Sequence, residues 1–261
     1  MQHKLTPILN TPFLIRLCAA LLIGCLVSER CLGETAAAPR DPRTSIVGKS
    51  YEGRPIECVV HGEGADVLMI VATIHGNEAA GTPLVEAFSE WLVAHPAELT
   101  GRQVVIVPVA NPDGFAANLR FNTRGVDLNR NFPAGNWKEG ENVNLHGSAP
   151  LSEPESRVLM QLVCRYFPNR VISIHQPVHC IDYDGPGRRL AEAMAAKCHL
   201  PVKKLGGRPG SFGSFVGETL GKPIVTLELP EDAGMDAKQL WETYGKAMIA
   251  ALQYHHTAAN E

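Results

Sequence analysis

From residue 44 onward, short apolar runs alternate with stretches in which apolar residues recur every three or four positions. The runs VLMIVATI (67–74), RQVVIVPVA (102–110), VISI (171–174) and PIVTLEL (223–229) are near-continuous apolar segments of strand length, the pattern of strands buried on both faces. Between them, residues 79–94 place Leu84, Val85, Phe88, Trp91 and Leu92 at helical spacing. Helices are also expected over 186–199 and 236–254. Ser152-Glu153-Pro154-Glu155 reads as a capping box opening a helix through about Tyr166. SIVGKSYEGRPIECVVHG (45–62) reads as a hairpin with Glu52-Gly53 at its turn. Residues 111–150, rich in Asn, Gly and Pro, read as a long loop. Apolar strands alternating with helices imply an α/β domain whose mixed, mostly parallel sheet is covered on both faces.

The first residues break this pattern. Residues 1–16 carry Lys4 and Arg16 and no acid, and LCAALLIGCLV follows at 17–27. That is an export-signal pattern, so the expected division is an export segment over 1–33, a linker over 34–43 and the catalytic domain over 44–256. Two processing routes are open. LIGC at 22–25 resembles a lipobox and would leave a lipid anchor on Cys25, the one route to a membrane. Cleavage near Gly33 or within Ala36-Ala37-Ala38 would release a soluble product, and this is favoured because four-residue matches arise easily by chance. Either way a periplasmic or cell-envelope location is expected.

Composition agrees with one domain: 261 residues, 45% hydrophobic and 20% charged. The formal charge of −3 offers no basic field for nucleic acid. Cys58, Cys164, Cys180 and Cys198 contain no CxxC pair, which disfavours a cysteine metal site. Disulfides are permitted by export but not required. A monomer is expected.

The chemistry lies where the apolar runs stop. The strand at 67–74 ends in His75-Gly76-Asn77-Glu78, and VISI ends in His175. In open α/β sheets ligands sit beyond the carboxyl ends of strands. A lone strand-end histidine is more simply a hydrogen-bonded polar residue. Two of them, with a carboxylate three residues after the first, supply the His/Glu donor set of a catalytic zinc. Glu228 ends a third apolar run, a position suited to a base that takes a proton from water. The other reading of Glu228 is an exposed edge-strand residue. The loop NPDGFAANLRFNTRGVDLNRNFP adds Arg120, Arg124, Asn129 and Arg130, donors that can fork onto a carboxylate or steady an oxyanion.

HGNE, NPDGF, RGVDLNRNFP, SIH and TLELP, in this order, resemble the zinc metallocarboxypeptidases from about residue 47 to 252. The short chain and GGRPGSFGSF ahead of PIVTLELP are most similar to that family's murein peptide amidase group. The resemblance implies a single α/β/α domain with a mixed eight-stranded sheet and one zinc held by His75, Glu78 and His175. It assigns Glu228 as catalytic base, Asn129 and Arg130 to the substrate's free carboxylate, and Arg120 to the polarised carbonyl, with Arg124 the alternative. The implied substrate is a peptidoglycan peptide cut at its γ-D-glutamyl–meso-diaminopimelate amide. Asp182, Asp184 and Arg208 are candidates to read the far end of the diaminopimelate. One departure stands out: residues 206–217 hold Phe212 and Phe215 but no tyrosine, so tyrosine-dependent closure is not expected. Alternatives are a general metallocarboxypeptidase, a zinc deacylase of N-acyl amino acids, or a non-catalytic wall-binding module.

Overall fold

The structure, a computed structural model, describes residues 41–139, 143–231 and 234–255. The expected export segment, Cys25, and all but the last residues of the expected linker lie outside the described residues. The elements follow in order as β1 (Arg43–Lys49), β2 (Pro55–Gly62), β3 (Asp66–Ala72), α1 (Gly81–Ala94), β4 (Arg102–Val107), α2 (Pro112–Ala117), α3 (Val143–His146), α4 (Pro154–Tyr166), β5 (Arg170–His175), β6 (Val178–Asp184), α5 (Arg188–Cys198), β7 (Val202–Lys203), β8 (Ile224–Pro230) and α6 (Ala237–Gln253).

The eight strands form one sheet in the order β1-β2-β4-β3-β5-β8-β6-β7. The central run β4-β3-β5-β8 is parallel. The β1–β2, β2–β4 and β8–β6 pairs are antiparallel. Successive side chains along a strand face opposite ways. In β3, Leu68, Ile70 and Ala72 therefore join a core built with Leu84 and Phe88 of α1, Met194 of α5 and Met248 of α6. Met69 and Val71 join a second core with Leu159 and Val163 of α4 and with Phe132, Phe212 and Phe215. Both faces are thus covered, as the apolar strands predict. Burying each such side chain contributes about 1.5–3 kcal/mol.

One local expectation changes. The cap of α4 is Glu153 rather than Ser152, and no side chain caps it. Pro154 occupies the first helical position, which needs no N–H donor, and Ser152 Oγ instead donates to Glu153 Oε1 at 2.8 Å. A true capping box sits at α6, between Asp236 and Gln239. The strand β6 and a single π-helical turn at Ser214–Thr219 carry no clear apolar period. Among the described residues there is no disulfide, and no helix is long and apolar enough to cross a membrane.

Candidate metal and substrate site

The parallel strands β3, β5 and β8 run the same way, so their carboxyl ends meet on one edge of the sheet. Thr73 follows β3 with φ of 53°, a left-handed conformation uncommon outside glycine. It turns the chain so that His75 and Glu78 point back across that edge. Gly76 makes the turn possible: a Cβ there would lie 2.0 Å from the Gly114 carbonyl carbon. His175 closes β5, and in the pairing of β5 with β8 it sits opposite Glu228.

His75, Glu78 and His175 converge. They are 3%, 5% and 5% exposed, and their donor atoms lie within 4.8 Å of one another. Glu78 Oε1 is 2.8 Å from His75 Nδ1, and Oε2 is 2.8 Å from His175 Nδ1. The two Nδ1 atoms are 3.2 Å apart. Tetrahedral ligands at zinc distances of 2.0–2.1 Å stand about 3.4 Å from each other, so this donor set fits zinc in both chemistry and spacing.

Asp127 completes the arrangement, and the sequence reading passed it over. His75 Nε2 donates to Asp127 Oδ1 at 3.0 Å, because an ionised carboxylate only accepts. That leaves Nδ1 as the bare, metal-facing nitrogen. Burial of His75 works against its charged form, but the bonds to Asp127 and Glu78 outweigh it and raise its pKa. Burial likewise opposes ionisation of Glu78, yet His175 and His75 hold its carboxyl far below the usual range. Asp127 is also lowered, with His75, Arg130 and Arg120 overcoming the effect of burial.

The site opens into a cleft of about 220 Å³. Arg120 lines it and donates from Nη1 to Glu78 Oε1 at 2.9 Å and from Nη2 to Asp127 Oδ2 at 3.3 Å. Arg130 and Asn129 line it too. Asn129 Oδ1 accepts from the Phe212 N–H at 2.8 Å, and Arg130 Nη1 donates to the Asn129 carbonyl at 2.6 Å. Glu228 faces the same space, with burial raising its pKa despite the nearby His175. Arg124, the alternative to Arg120, is not brought there. Asn122 Oδ1 accepts the N–H groups of Arg124 and Val126 in a tight turn, and the Arg124 side chain leaves toward Glu153, at 3.7 Å, and the Tyr51 ring.

The cleft floor is one face of β5, β8 and β6: Ser173 and His175, Thr226 and Glu228, Asp182 and Asp184. Two buried side-chain atoms on it, Ser173 Oγ and Asp184 Oδ1, have no hydrogen-bond partner among the described residues. The segment 205–213 walls the far side with Leu205, Gly206, Arg208, Ser211 and Gly213.

Comparison with known proteins places this geometry. Residues 30–184 match the model of the zinc carboxypeptidase family. That span includes His75, Glu78, Asn129, Arg130 and His175, while Glu228 lies beyond it. The chain is 35% identical over 230 residues to the murein peptide amidase A of Escherichia coli (strain K12), covering 82% of this chain and 91% of that protein. It is 32% identical over 238 residues to that of Vibrio campbellii, covering 83% and 92%. Its fold matches the crystal structure of the murein-tripeptide amidase MpaA from Escherichia coli O157 with a TM-score of 0.64 at 32% identity, over 82% of this chain and 93% of that one. Bovine thrombin-activatable fibrinolysis inhibitor shares the fold with a TM-score of 0.70 at 20% identity, over 81% and 88%.

Proposed function

The chain belongs to the zinc carboxypeptidase family and is a zinc-dependent hydrolase, and from that premise we propose that it cleaves the γ-D-glutamyl–meso-diaminopimelate amide of murein peptides. The observation that carries the proposal is the meeting, in one cleft, of the His75/Glu78/His175 donor set, the Glu228 carboxylate and the Arg130 guanidinium. The amidases named above support the choice of bond.

Zinc held by His75, Glu78 and His175 supplies Lewis-acid polarisation of the scissile carbonyl and activation of water. The remaining steps belong to the chain. Arg130 and Asn129 hold the free carboxylate of the residue that departs with the amine, with the guanidinium supplying a charge-assisted contact. Glu228, its pKa raised by burial, takes a proton as water adds to the carbonyl carbon. Arg120 donates toward the oxygen that gains negative charge. As the C–N bond breaks, Glu228 returns its proton to the departing nitrogen, leaving a free γ-carboxylate and a free diaminopimelate amine.

The test is digestion of L-alanyl-γ-D-glutamyl-meso-diaminopimelate by zinc-loaded protein, with products identified by mass spectrometry. Release of diaminopimelate is expected. Glu228→Gln is expected to lower kcat by about 10²–10⁴-fold while zinc content is kept. No cleavage of this peptide by zinc-loaded wild type refutes the proposal; a fast Glu228→Gln enzyme refutes the assignment of the base.

We also propose that residues 1–33 direct export, on the basis of the charge and apolar pattern of that segment. Fractionation of cells producing the full chain tests this: recovery only from the cytoplasm, unprocessed, overturns it.

A further inference from the structure

The segment between β5 and β6 touches both carboxylates on which the mechanism depends. The Gln176 N–H donates to Glu78 Oε2 at 3.1 Å, and the Val178 N–H donates to Glu228 Oε2 at 3.4 Å. One short stretch of backbone thus holds a metal-ligand carboxylate and the proposed base. The stretch is itself held by one side chain. Gln176 Oε1 accepts the Ala80 N–H at 3.1 Å. Its Nε2 donates to the Pro230 carbonyl at 3.0 Å and to the Glu231 carbonyl at 3.3 Å. With an N–H at one end and two carbonyls at the other, only this orientation of the amide is satisfied.

Resting on the amidase reading given above, we propose that Gln176 is a positioning residue for the base. Its side chain clamps the start of α1, two residues beyond Glu78, to the end of β8, two residues beyond Glu228, and so fixes Glu228 against the metal ligands.

Both ends of this clamp stand where regular backbone bonding stops. The helix α1 opens at Ala80 with no side-chain cap, so its first N–H groups need acceptors from elsewhere, and the Gln176 amide supplies one. At the other end, β5 finishes at His175, opposite Glu228. Beyond Glu228, β8 is therefore bonded on one side only, by β6, and the last pair there is Val178 with Pro230. Pro230 has no N–H to give. Gln176, the next residue after β5, continues the lost ladder with its side chain, while its own N–H turns to Glu78. An amide suits the task because it carries acceptor and donors on one plane and adds no charge between two carboxylates. Small shifts matter here, since misplacing a reacting group by about 1 Å costs roughly 10²-fold in rate.

The experiment compares wild type, Gln176→Met and Gln176→Glu, with Gln176→Met also made in a Glu228→Gln background, on L-alanyl-γ-D-glutamyl-meso-diaminopimelate. Methionine fills the same space without donor or acceptor. Glutamate keeps the acceptor for Ala80 but turns a second oxygen toward the Pro230 and Glu231 carbonyls. Gln176→Met is expected to lower kcat of the zinc-loaded enzyme by roughly 10²-fold, with KM and the zinc Kd within about threefold of wild type. In the Glu228→Gln background the same substitution is expected to cost no more than about threefold, because residues that act as a unit are not additive. Equal losses in both backgrounds would be general damage and overturn the proposal. A raised KM with kcat unchanged makes Gln176 a substrate contact and overturns it as well. A zinc Kd weakened by about tenfold or more assigns Gln176 to the metal ligands instead of the base, which also overturns it. Amide hydrogen exchange in the metal-free protein, followed by NMR, reads the clamp without turnover. The Ala80 N–H is expected to exchange roughly 2- to 10-fold faster in Gln176→Met, the effect of losing one neutral hydrogen bond, and to stay as in wild type in Gln176→Glu. Gln176→Glu is nevertheless expected to lose kcat as Gln176→Met does, because its β8 end is released. Unchanged exchange at Ala80 in Gln176→Met, or wild-type kcat in Gln176→Glu, overturns the clamp. Failure of wild type to cleave the peptide overturns the amidase reading and the catalytic side of the proposal, and the exchange measurement still decides the clamp.

Discussion

Asp127→Asn isolates the contribution of a residue that touches no substrate in the proposed mechanism. His75 Nε2 and Asp127 Oδ1 are 3.0 Å apart, with both side chains almost fully buried. The same Oδ1 accepts the Asn129 N–H at 2.9 Å, and Oδ2 accepts from Arg120 Nη2 at 3.3 Å. Asparagine preserves the shape and one acceptor oxygen, but it removes the charge that makes Nδ1 of His75 a better donor. It also turns an N–H₂ toward Arg120, where only an acceptor is satisfied. Loss of such a ligand-orienting partner typically weakens metal affinity about 10- to 100-fold, or about 1.4–2.8 kcal/mol. That agrees with the roughly 1.5–3 kcal/mol of one hydrogen bond to a charged group. Chelator competition measures the zinc Kd, and thermal unfolding of the metal-free protein checks that the fold is intact. Asp113→Asn is the control. Asp113 is equally buried and accepts from Ser50 Oγ at 2.7 Å, the Glu52 N–H at 2.9 Å and Arg54 Nη1 at 2.7 Å, away from the donor set. It should lose stability and keep its zinc Kd. An Asp127→Asn protein whose zinc Kd stays within twofold of wild type would refute the argument that this carboxylate sets the orientation and basicity of His75.

Other outcomes follow from the same physics. Amidating the α-carboxylate of the departing residue should lower kcat/KM by at least tenfold, and Arg130→Lys should do the same on the acid substrate, since an ammonium cannot reproduce the guanidinium fork; equal rates on acid and amide would count against Arg130. Asp66→Asn should lower unfolding stability in urea by about 3 kcal/mol, because Arg170, 1% exposed, spends its donors on Asp66 and on the Ala251 and Leu252 carbonyls; a loss below about 1 kcal/mol would show that the carbonyls suffice. Asp184→Asn should raise the melting temperature at neutral pH. Its carboxyl rises from 3.8 to about 6 on folding, so the folded state holds the proton more tightly and stability falls as pH climbs through that window, by at most about 3 kcal/mol. The gain from asparagine should therefore be present at pH 7 and absent near pH 3.5, and a variant equally stabilised at both would refute the linkage.

The metal-binding histidines and the proposed base were legible because of where they interrupt a pattern. Strands buried on both faces are almost uniformly apolar, so a histidine or glutamate at their carboxyl end stands out, and His75, His175 and Glu228 all do. The strand β6 was not legible for the converse reason. In VHCIDYD one face lines a polar cleft, so Asp182 and Asp184 break the apolar run that would have announced a strand. Asp127 was hidden by ambiguity of role. An aspartate among turn residues looks the same whether it caps the next turn or orients a ligand, and this one does both, capping Leu128–Arg130 through the Asn129 N–H. The choice between Arg120 and Arg124 depended on a single turn. Asn122 folds the chain back on itself, and only that geometry decides which guanidinium faces the donor set and which faces Tyr51.

The wall at 205–213 bears on how the cleft discriminates. The Asn129 amide that stands beside Arg130 also accepts the Phe212 N–H, and the Phe132 N–H donates to the Gly210 carbonyl at 2.9 Å. Phe212 and Phe215 are fully buried, and their rings lie 4.9 and 6.0 Å from that of Phe132. Moving this wall as a lid would require pulling Phe212 out of the core, at about 1.5–3 kcal/mol, and breaking the bond that runs to Asn129. The absence of a tyrosine from this segment and its anchoring to the core are two aspects of one design. A cleft that does not need to close must discriminate with charges fixed before the substrate arrives. Arg120, held by Glu78 and Asp127, and Arg130 are fixed charges of that kind.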